Sequence, residues 1–451
     1  MANEPDKDEP DDLDREEKMR KALAENIKRV EEMMQFLPLH GDTIRDLRAK
    51  VALLRTILLE QRPPALALVG RRGAGKSSLV NALFGTKVAE VGHVRAQTGR
   101  GKWFDHTTER GTLSILDTRG IQEGSKPEES DISLDAVKSI LVELKRRLPD
   151  VVIFMVNATQ ADSAIDADLD ALERIYAEMD RYHKVRPPLV AVATHCDVLE
   201  PKATRLHLTV DDPEDIDEKL HRVADVEHHL EEKIKGRGKL APHLQWTRGV
   251  SSYMSFKADG TLRSDERWHI DELVSTLFKH VPDSTRGTLV RIARVRGLQE
   301  QLATDLTRAT AILCTGIAAL PIPIADVFPI TGLQLGLVAA IAWLSGRPMD
   351  KRAATEFLAA MGANVGAAMV LREGFRALMK VVAPGYGSVI SGAIAFAGTM
   401  AIGAGARQFF LRGGTIEEAK KAFEDAKNES KTEGEQLERE QADKNRDKTL
   451  N

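Results

Sequence analysis

The sequence predicts an α/β domain with a mostly parallel sheet, preceded by a helical hairpin and followed by an all-α domain rich in Gly and Ala. First, an apolar strand pattern at 65–69 leads through a glycine-rich turn into a helix. Second, the runs VVIFMV and LVAVA are apolar without alternation, as in parallel strands covered on both faces. Third, charge disappears from long runs after residue 308, which indicates a separate helical domain.

The α/β domain follows from strands and helices that alternate along the chain. Right-handed crossovers would bring the carboxyl ends of the strands, where ligands bind, to one edge of the sheet. Strands are predicted at 65–69, 112–116, 151–156, 189–193 and 246–250, and helices from 76 and at 134–148, 162–182, 213–235 and 270–280.

Length and composition set the broad class. At 451 residues and a net charge of −4, the chain has material for two or three domains, and its charge points to no class of partner. Cys196 and Cys314 are the only cysteines and fit a reducing compartment better than a disulfide framework. The first residues are acidic, unlike a secretory signal, so we expect residence in the cytosol.

Four segments are predicted from the changes in composition. Apolar residues at helical spacing in 14–36 and 43–60, separated by Pro38 and Gly41, predict an antiparallel helix pair. This pair could pack on the next domain or form a partner-binding coiled coil, and the first is favoured. The predicted division is an acidic start with the helical hairpin at 1–62, the α/β domain at 63–283, a hydrophobic helical domain at 284–412, and a charged helical or disordered tail at 413–451.

A phosphate-binding loop is predicted between the first strand and the first helix, where the residues match G-x-x-x-x-G-K-[ST]. Glycine leaves the backbone amides open to a polyphosphate, while Lys76 and the start of the helix supply positive charge. The Ser77 hydroxyl is placed to ligate Mg²⁺. A glycine-rich turn with a chance lysine is the alternative, and the flanking strand and helix disfavour it. The predicted loop residues are Gly70, Gly73, Ala74, Gly75, Lys76, Ser77 and Ser78.

Two further sites follow the strand TLSIL and the first helix. Asp117 in DTRG would be the second Mg²⁺ anchor, and the Gly120 amide would lie near the terminal phosphate. Thr98 lies in a polar stretch between the first helix and the next strand, and is predicted as the switch residue that reaches Mg²⁺ and the γ-phosphate. Thr107 or Thr108 could take its place.

The base-binding side is predicted at the ends of two later strands. In Thr194-His195-Cys196-Asp197, the Asp197 carboxylate could accept from N1–H and the N2 amino group of guanine, whereas adenine has no donor at N1. This favours GTP over ATP. Ser251 and Ser252, after the last strand, could offer backbone amides to the guanine O6.

GRRGAGKSSLVNALFG, DTRGI and THCD resemble the first, third and fourth motifs of the translation-factor-like GTPases, the Era and TrmE group, over residues 65–281. The resemblance implies a P-loop GTPase fold (G domain) that binds GTP or GDP with Mg²⁺ and hydrolyses GTP, with Lys76, Thr98 and Gly120 as the catalytic residues.

The chain departs from this family in four places. His195 replaces the usual lysine of the fourth motif, and Arg119 the usual proline after DT. Gly73 stands where potassium-dependent relatives carry asparagine, so potassium stimulation is not implied. Ile121 follows Gly120 where Ras-type enzymes carry the water-orienting glutamine, so we expect slow intrinsic hydrolysis. The missing group could come from a partner, a second copy, or a residue nearby in sequence, among them Gln122, Arg71, Arg72, Arg95 and Arg119.

Three runs in the second half carry no charge: 309–325, 327–346 and 381–406. The second and third are long enough to span a bilayer, and basic residues flank them, so membrane contact is predicted through 309–406. A Gly/Ala-rich soluble bundle is the alternative. Small residues every fourth position would let another helix approach closely, at Ala393, Ala397, Ala401 and Gly405.

The stretch PIPIADVFPITGLQLGLVAAIA resembles the hydrophobic domain of unknown function found in YcjF-type bacterial inner-membrane proteins and in GTPases fused to it, over residues 299–412. The resemblance implies an architecture, and a location at the cytoplasmic face of the inner membrane, rather than an activity. Asp326 and Gln334 are the polar residues within the stretch; a helix-capping role is expected for Asp326.

Three functional hypotheses follow. The first is a GTPase switch that hydrolyses GTP slowly and is coupled to a membrane-associated helical domain, with a homodimer or a protein effector as partner. The second is a GTP-binding membrane scaffold without useful hydrolysis. The third is an Era-like ribosome-assembly factor; nucleic acid is not favoured as a partner because no basic module with interleaved aromatic residues follows the G domain.

Overall fold

A computed structural model of the chain describes residues 12–35, 42–89, 102–117, 140–161, 165–207, 212–318, 328–349 and 392–446, together with 354, 357 and 361. The helices are α1 Asp12–Gln35, α2 Asp42–Leu58, α3 Lys76–Phe84, α4 Ile165–His183, α5 Pro213–Lys235, α6 Ile270–His280, α7 Asp283–Ala293, α8 Arg296–Ala318, α9 Phe328–Leu344, α10 Gly392–Phe410 and α11 Ile416–Arg446. The strands are β1 Ala65–Val69, β2 Lys102–Thr108, β3 Gly111–Asp117, β4 Val151–Asn157, β5 Leu189–Thr194, β6 Leu244–Gly249, β7 Met254–Phe256 and β8 Leu262–Asp265.

The chain divides into two compact units. One unit is continuous and comprises Arg62–Val295, with all eight strands. The other is discontinuous: it combines Met1–Gln61 with Arg296–Asn451 and is helical in its described residues. The first unit agrees closely with the predicted α/β domain, whereas the second joins three segments that were predicted as separate.

The six-stranded sheet has the order β2-β3-β1-β4-β5-β6. All neighbouring pairs are parallel except β2 and β3, which are antiparallel. Every residue of β1 and β5 is buried, as expected for central parallel strands that are covered on both faces. The carboxyl ends of β1, β3, β4, β5 and β6 therefore lie at one edge of the sheet, and the predicted motifs follow β1, β3, β5 and β6.

The mostly parallel sheet predicted from the sequence is confirmed, with all five predicted strands at or near their predicted positions. The structure adds β2, a largely exposed edge strand, and the small β7–β8 hairpin. The single basic helix predicted over 285–308 is wrong. The chain breaks between α7 and α8 at Arg294, which has a left-handed φ of 56°. Of the predicted helix at 134–148, the described residues 140–146 are helical.

In the helical unit, α8 packs on α2, α9 and α10, and α1 packs on α9. A Cβ added to Gly332 or Gly336 of α9 would collide with Asn26 or Leu23 of α1, so these glycines allow the close approach of the two helices. The predicted helical pair is therefore part of the same unit as the hydrophobic helices. Its predicted placement as a segment of its own at 1–62 is corrected by these contacts.

The charged segment after residue 412 is also integrated in this unit. It forms α11, which packs against α10 more extensively than any other pair of helices does in the described chain. Gly405 of α10 faces the carbonyl oxygen of Ala419, at 3.2 Å from a Cβ placed on the glycine. Ala419 and Phe423 are buried. The small-residue face predicted on α10 thus receives another helix, and the predicted separate tail at 413–451 is wrong for residues 416–446.

The uncharged runs are enclosed by other helices where they are described. α9 is buried along most of its length, and its Gln334 side chain donates to Thr399 Oγ1 of α10 at 2.9 Å. Two of the basic residues that flank these runs are in ion pairs, Arg308 with Glu433 and Arg412 with Glu300. No described helix combines the length and the apolar character needed to cross a bilayer. Asp326 and the run at 381–391 lie outside the described residues.

Candidate functional site at the sheet edge

The turn between β1 and α3 has the backbone shape of a phosphate-binding loop. Gly73 and Gly75 adopt left-handed φ angles of 79° and 80°, which strain other residues. A Cβ on Gly70 would collide with the carbonyl oxygen of Met155 in the neighbouring strand β4. These three glycines are therefore required by the backbone itself, and the buried Ala74 lies between the last two.

Lys76, the first residue of α3, folds its side chain back over this loop. Its Nζ donates to the carbonyl oxygens of Gly70 at 2.7 Å and Arg71 at 2.9 Å. The ammonium is thus held against the loop at the amino end of a helix, where the helix dipole also favours an anion. Ser77 and Ser78 follow in the first turn of α3 and are partly buried.

Arg71 is held on the opposite side of the loop. Its Nε donates to Asp168 Oδ2 in α4 at 2.7 Å, and Asp168 is only 7% exposed. Burial raises the pKa of Asp168, and the hydrogen bond from Arg71 opposes that rise. Arg71, one of the residues considered as a substitute for the missing glutamine, is therefore occupied by a structural contact in this conformation, whereas Arg72 is exposed.

The metal side of the site is formed by the ends of β1 and β3. Asp117 ends β3 and lies opposite Leu68, two residues before Gly70. A serine hydroxyl at 77 and a carboxylate at 117 are oxygen donors of the kind that Mg²⁺ prefers, so the residue types fit the predicted metal. Thr98 and Gly120, the other two predicted residues of this side, lie outside the described residues.

The two alternatives to Thr98 are wrong. Thr107 and Thr108 lie in β2, where they pair with Thr112 and Gly111 at the start of β3. Asp117 is at the other end of the same strand, and at about 3.3 Å per residue it is roughly 17 Å from Thr112. Neither threonine can reach a metal ion bound at Asp117.

Thr194, at the end of β5, connects the base side to the phosphate loop. Its buried hydroxyl is within hydrogen-bond distance of the carbonyl oxygens of Ala74, at 3.1 Å, and Val156, at 3.2 Å. A hydroxyl has one proton to donate, so the two carbonyls share it. Thr194 therefore fixes the loop against the sheet and does not itself face the predicted base.

His195 adopts a left-handed conformation with a φ of 60°. Its ring lies beside the loop: a Cβ on Gly75 would be 3.1 Å from His195 Cε1, and Nδ1 is 3.0 Å from Thr194 Oγ1. Burial lowers the pKa of His195, although the Asp197 carboxylate acts in the opposite direction. A neutral ring next to the loop presents a flat face for stacking without adding charge.

Asp197 lies in a short 3₁₀ turn, Cys196–Val198, and is partly exposed. Among the described residues its carboxylate has no hydrogen bond or ion pair, so it is open to a ligand. The Cys196 amide donates to Val250 O at 3.3 Å, which brings this turn next to the segment after β6. The Ser251 amide there donates to Trp268 O at 3.1 Å and is already used, so Ser252 keeps the predicted role more readily.

Sequence comparison identifies the domain that carries these sites. Residues 65–194, from β1 to the end of β5, match the sequence model of a family described as 50S ribosome-binding GTPase. The match includes the phosphate loop, Asp117 and Thr194. The chain contains a P-loop GTPase domain.

Curated relatives match the P-loop GTPase domain over part of their length. GTPase Der of Macrococcus caseolyticus is 33% identical over 99 residues, which is 21% of this chain and 20% of that protein. The small ribosomal subunit biogenesis GTPase RsgA of Xanthomonas oryzae is 31% identical over 167 residues, 35% of this chain and 43% of that protein. The chain thus spans between a fifth and less than half of the length of these relatives.

Solved structures show a weaker likeness. Era in complex with MgGDPNP and nucleotides of 16S ribosomal RNA is 20% identical, with a TM-score of 0.31 and coverage of 56% of this chain and 68% of that one. The LeoA bacterial dynamin GTPase from ETEC is 13% identical, with a TM-score of 0.33 and coverage of 91% and 72%. TM-scores this low support no conclusion about function.

Three residues around the P-loop GTPase domain's site were not predicted from the sequence. They are Asp168, which binds Arg71, and two residues of α5, Lys219 and Glu227, which bind the base-side segments. Asp168 stands in the first turn of a predicted helix, a common place for an acidic residue, so nothing marked it. Lys219 and Glu227 lie in a run of charged residues that is typical of a solvated helix face.

Proposed function

We propose that the P-loop GTPase domain binds Mg²⁺-GTP and hydrolyses it slowly to GDP and phosphate, as a switch coupled to the helical unit. The observation that carries this proposal is the glycine loop with the Lys76 ammonium bonded to the carbonyls of Gly70 and Arg71. An ammonium placed there can exchange these neutral acceptors for phosphate oxygens, which form stronger charge-assisted bonds.

Each remaining part of the site has a role in this proposal. The loop amides and Lys76 hold the phosphates, and Asp197 selects the base. Ser77, Thr98 and Asp117 would hold Mg²⁺, which spreads the negative charge of the transferring phosphoryl group. Gly120 offers its amide to the terminal phosphate.

Slow turnover is proposed because Ile121 cannot orient the attacking water. Arg71 is bound to Asp168, so it would have to leave that carboxylate before it could help. A partner protein or a second copy of the chain could supply the missing group, as happens in P-loop GTPases that receive an arginine in trans.

Single-turnover hydrolysis separates a switch from a scaffold. With enzyme in excess over GTP, we expect phosphate release that is slow but faster than the spontaneous reaction, and lost in Lys76→Ala. Phosphate release at the spontaneous rate, despite measurable GTP binding, would support a GTP-binding scaffold without useful hydrolysis.

Membrane association is the second part of the proposal. It is supported by the uncharged sequence of α9 and by the resemblance of 299–412 to the YcjF-type domain, which favour the cytoplasmic face of the inner membrane as the location. Since α9 is covered by other helices, contact with lipid would require a rearrangement of the helical unit.

Flotation with vesicles of phosphatidylethanolamine and phosphatidylglycerol tests this coupling. We expect the full chain to float with a non-hydrolysable GTP analogue and to stay at the bottom of the gradient with GDP. Lys76→Ala is the control, and it should behave alike with either nucleotide. Absence of flotation in both states would contradict membrane association, and equal flotation would contradict the coupling.

Ribosome association is a second candidate function, since the matching family is described as 50S ribosome-binding. Co-sedimentation of the full chain with 50S subunits distinguishes it from the membrane proposal. Binding that depends on the GTP analogue and weakens with salt would favour it.

A further inference from the structure

Lys219 of α5 is a buried lysine that binds three backbone carbonyls of the segment after β5. Its side chain has no exposed surface. Nζ donates to Asp197 O at 2.6 Å, Thr204 O at 2.7 Å and Pro201 O at 3.2 Å. An ammonium has three donors, so these three carbonyls satisfy it completely.

Such an arrangement is costly unless it fixes something. Burying an ammonium is strongly unfavourable without hydrogen bonds, and bonds from a charged donor are stronger than neutral ones. The other backbone bonds in this segment are local: Val198 to His195, Leu199 to Cys196, and Thr204 to Pro201. Lys219 is thus the contact that ties residues 197–204 to a neighbouring helix.

We propose that Lys219 is a positioning residue for guanine recognition. This inference rests on the proposed function, because it concerns how the Asp197 carboxylate meets the base. Lys219 binds the carbonyl of the same residue whose carboxylate must accept two hydrogen bonds from guanine. A carboxylate that must meet two donors tolerates only small displacements, so a fixed backbone at Asp197 sets the strength of this recognition.

The other base-side segment is held by the same helix. Glu227, two turns after Lys219, accepts from the Gly249 amide at 2.7 Å and from Arg248 Nη1 at 2.9 Å, at the end of β6. Helix α5 therefore binds the carbonyls of one segment with a cation and the amide of the other with a carboxylate. The two segments also meet directly through Cys196 and Val250.

The test compares the affinities for GDP and inosine diphosphate, which lacks the 2-amino group that Asp197 would bind. For the wild-type full chain with Mg²⁺, we expect GDP to bind about tenfold more tightly or better. Lys219→Met keeps the length and removes the donors, and it should reduce this ratio to about twofold or less while GDP binding weakens on the order of tenfold. A purely structural lysine would weaken both nucleotides equally and leave the ratio unchanged.

Lys233→Met is the matched control, because Lys233 is on the same helix but is partly exposed and bonded to Asp166. It should keep the wild-type ratio. A folded Lys219→Met with the wild-type ratio would overturn the inference. If Lys219→Met does not fold, Lys219→Gln is measured instead, and the same ratio as wild type would again refute it. Failure of both variants to fold would also refute it, since Lys219 would then serve the whole unit.

The same data separate the inference from the proposed function. If the wild-type chain binds neither diphosphate, the proposed function fails. If it discriminates between them and the Lys219 variants discriminate equally well, the positioning role fails alone.

Discussion

Asp197→Asn should shift the nucleotide preference from guanine to xanthine. An amide presents an NH₂ donor where the carboxylate presented an acceptor, and xanthine has a carbonyl at C2 in place of the amino group of guanine. We expect the affinity for GDP to fall on the order of 100-fold, because hydrogen bonds to a charged group are lost. Xanthosine diphosphate should bind the variant more tightly than GDP does, as measured by displacement of a fluorescent nucleotide.

Glu200→Gln is the control for this change, because Glu200 is an exposed acidic residue three positions further, paired with Lys202. Its affinity for GDP should match that of the wild type. Unchanged GDP affinity in Asp197→Asn would refute the assignment of Asp197 to the base. It would leave the phosphate loop unaffected.

Lys76→Ala should abolish binding of the GTP analogue in calorimetry with Mg²⁺, with a loss on the order of 100-fold or more. The variant loses the charge that meets the phosphates. It also leaves the carbonyls of Gly70 and Arg71 without their donor, so a slightly lower unfolding temperature is expected. Since both effects come from one side chain, binding and stability are measured on the same sample.

Lys87→Ala controls for the removal of a lysine near α3, because Lys87 is exposed just after that helix. It should leave the binding heat unchanged. Wild-type heat in Lys76→Ala, with a folded variant, is the result that contradicts the phosphate loop as the nucleotide site.

The parts of the fold that the sequence predicted well are those set by local chemistry. The bounds of α5 are as predicted because Asp212 caps the helix, accepting from the Glu214 amide at 3.0 Å, and Pro213 fits its first position. The phosphate loop was predictable because its glycines answer to backbone angles and to one close neighbour. The central strands were predictable because burial on both faces leaves no room for polar residues.

What the sequence did not predict depends on contacts between distant residues. The edge strand β2 is mostly exposed, so its polar sequence lacks the apolar run that marked the other strands. The disappearance of charge after residue 308 was taken as a boundary, yet α8 runs through it as a single helix, Arg296–Ala318. Its first part carries exposed polar residues and its last part is buried, so composition changes within one element.

The site shows the same division. The predicted phosphate-loop and base motifs lie at one edge of the sheet, as the parallel strand order requires. Lys219 could not be recognised, because charged residues surround it on α5 and nothing in their spacing marks the one that is buried. Its partners are backbone carbonyls, which carry no sequence signature.

The discontinuity of the helical unit has a consequence for biosynthesis. α1 and α2 leave the ribosome first, but the helices they pack on, α8 and α9, are translated only after the whole of Arg62–Val295. The apolar faces of α1 and α2 therefore wait, uncovered, while the nucleotide-binding unit is made and can fold. During that interval the nascent chain is exposed to aggregation, and a chaperone that shields its amino-terminal helices would raise the yield of native protein.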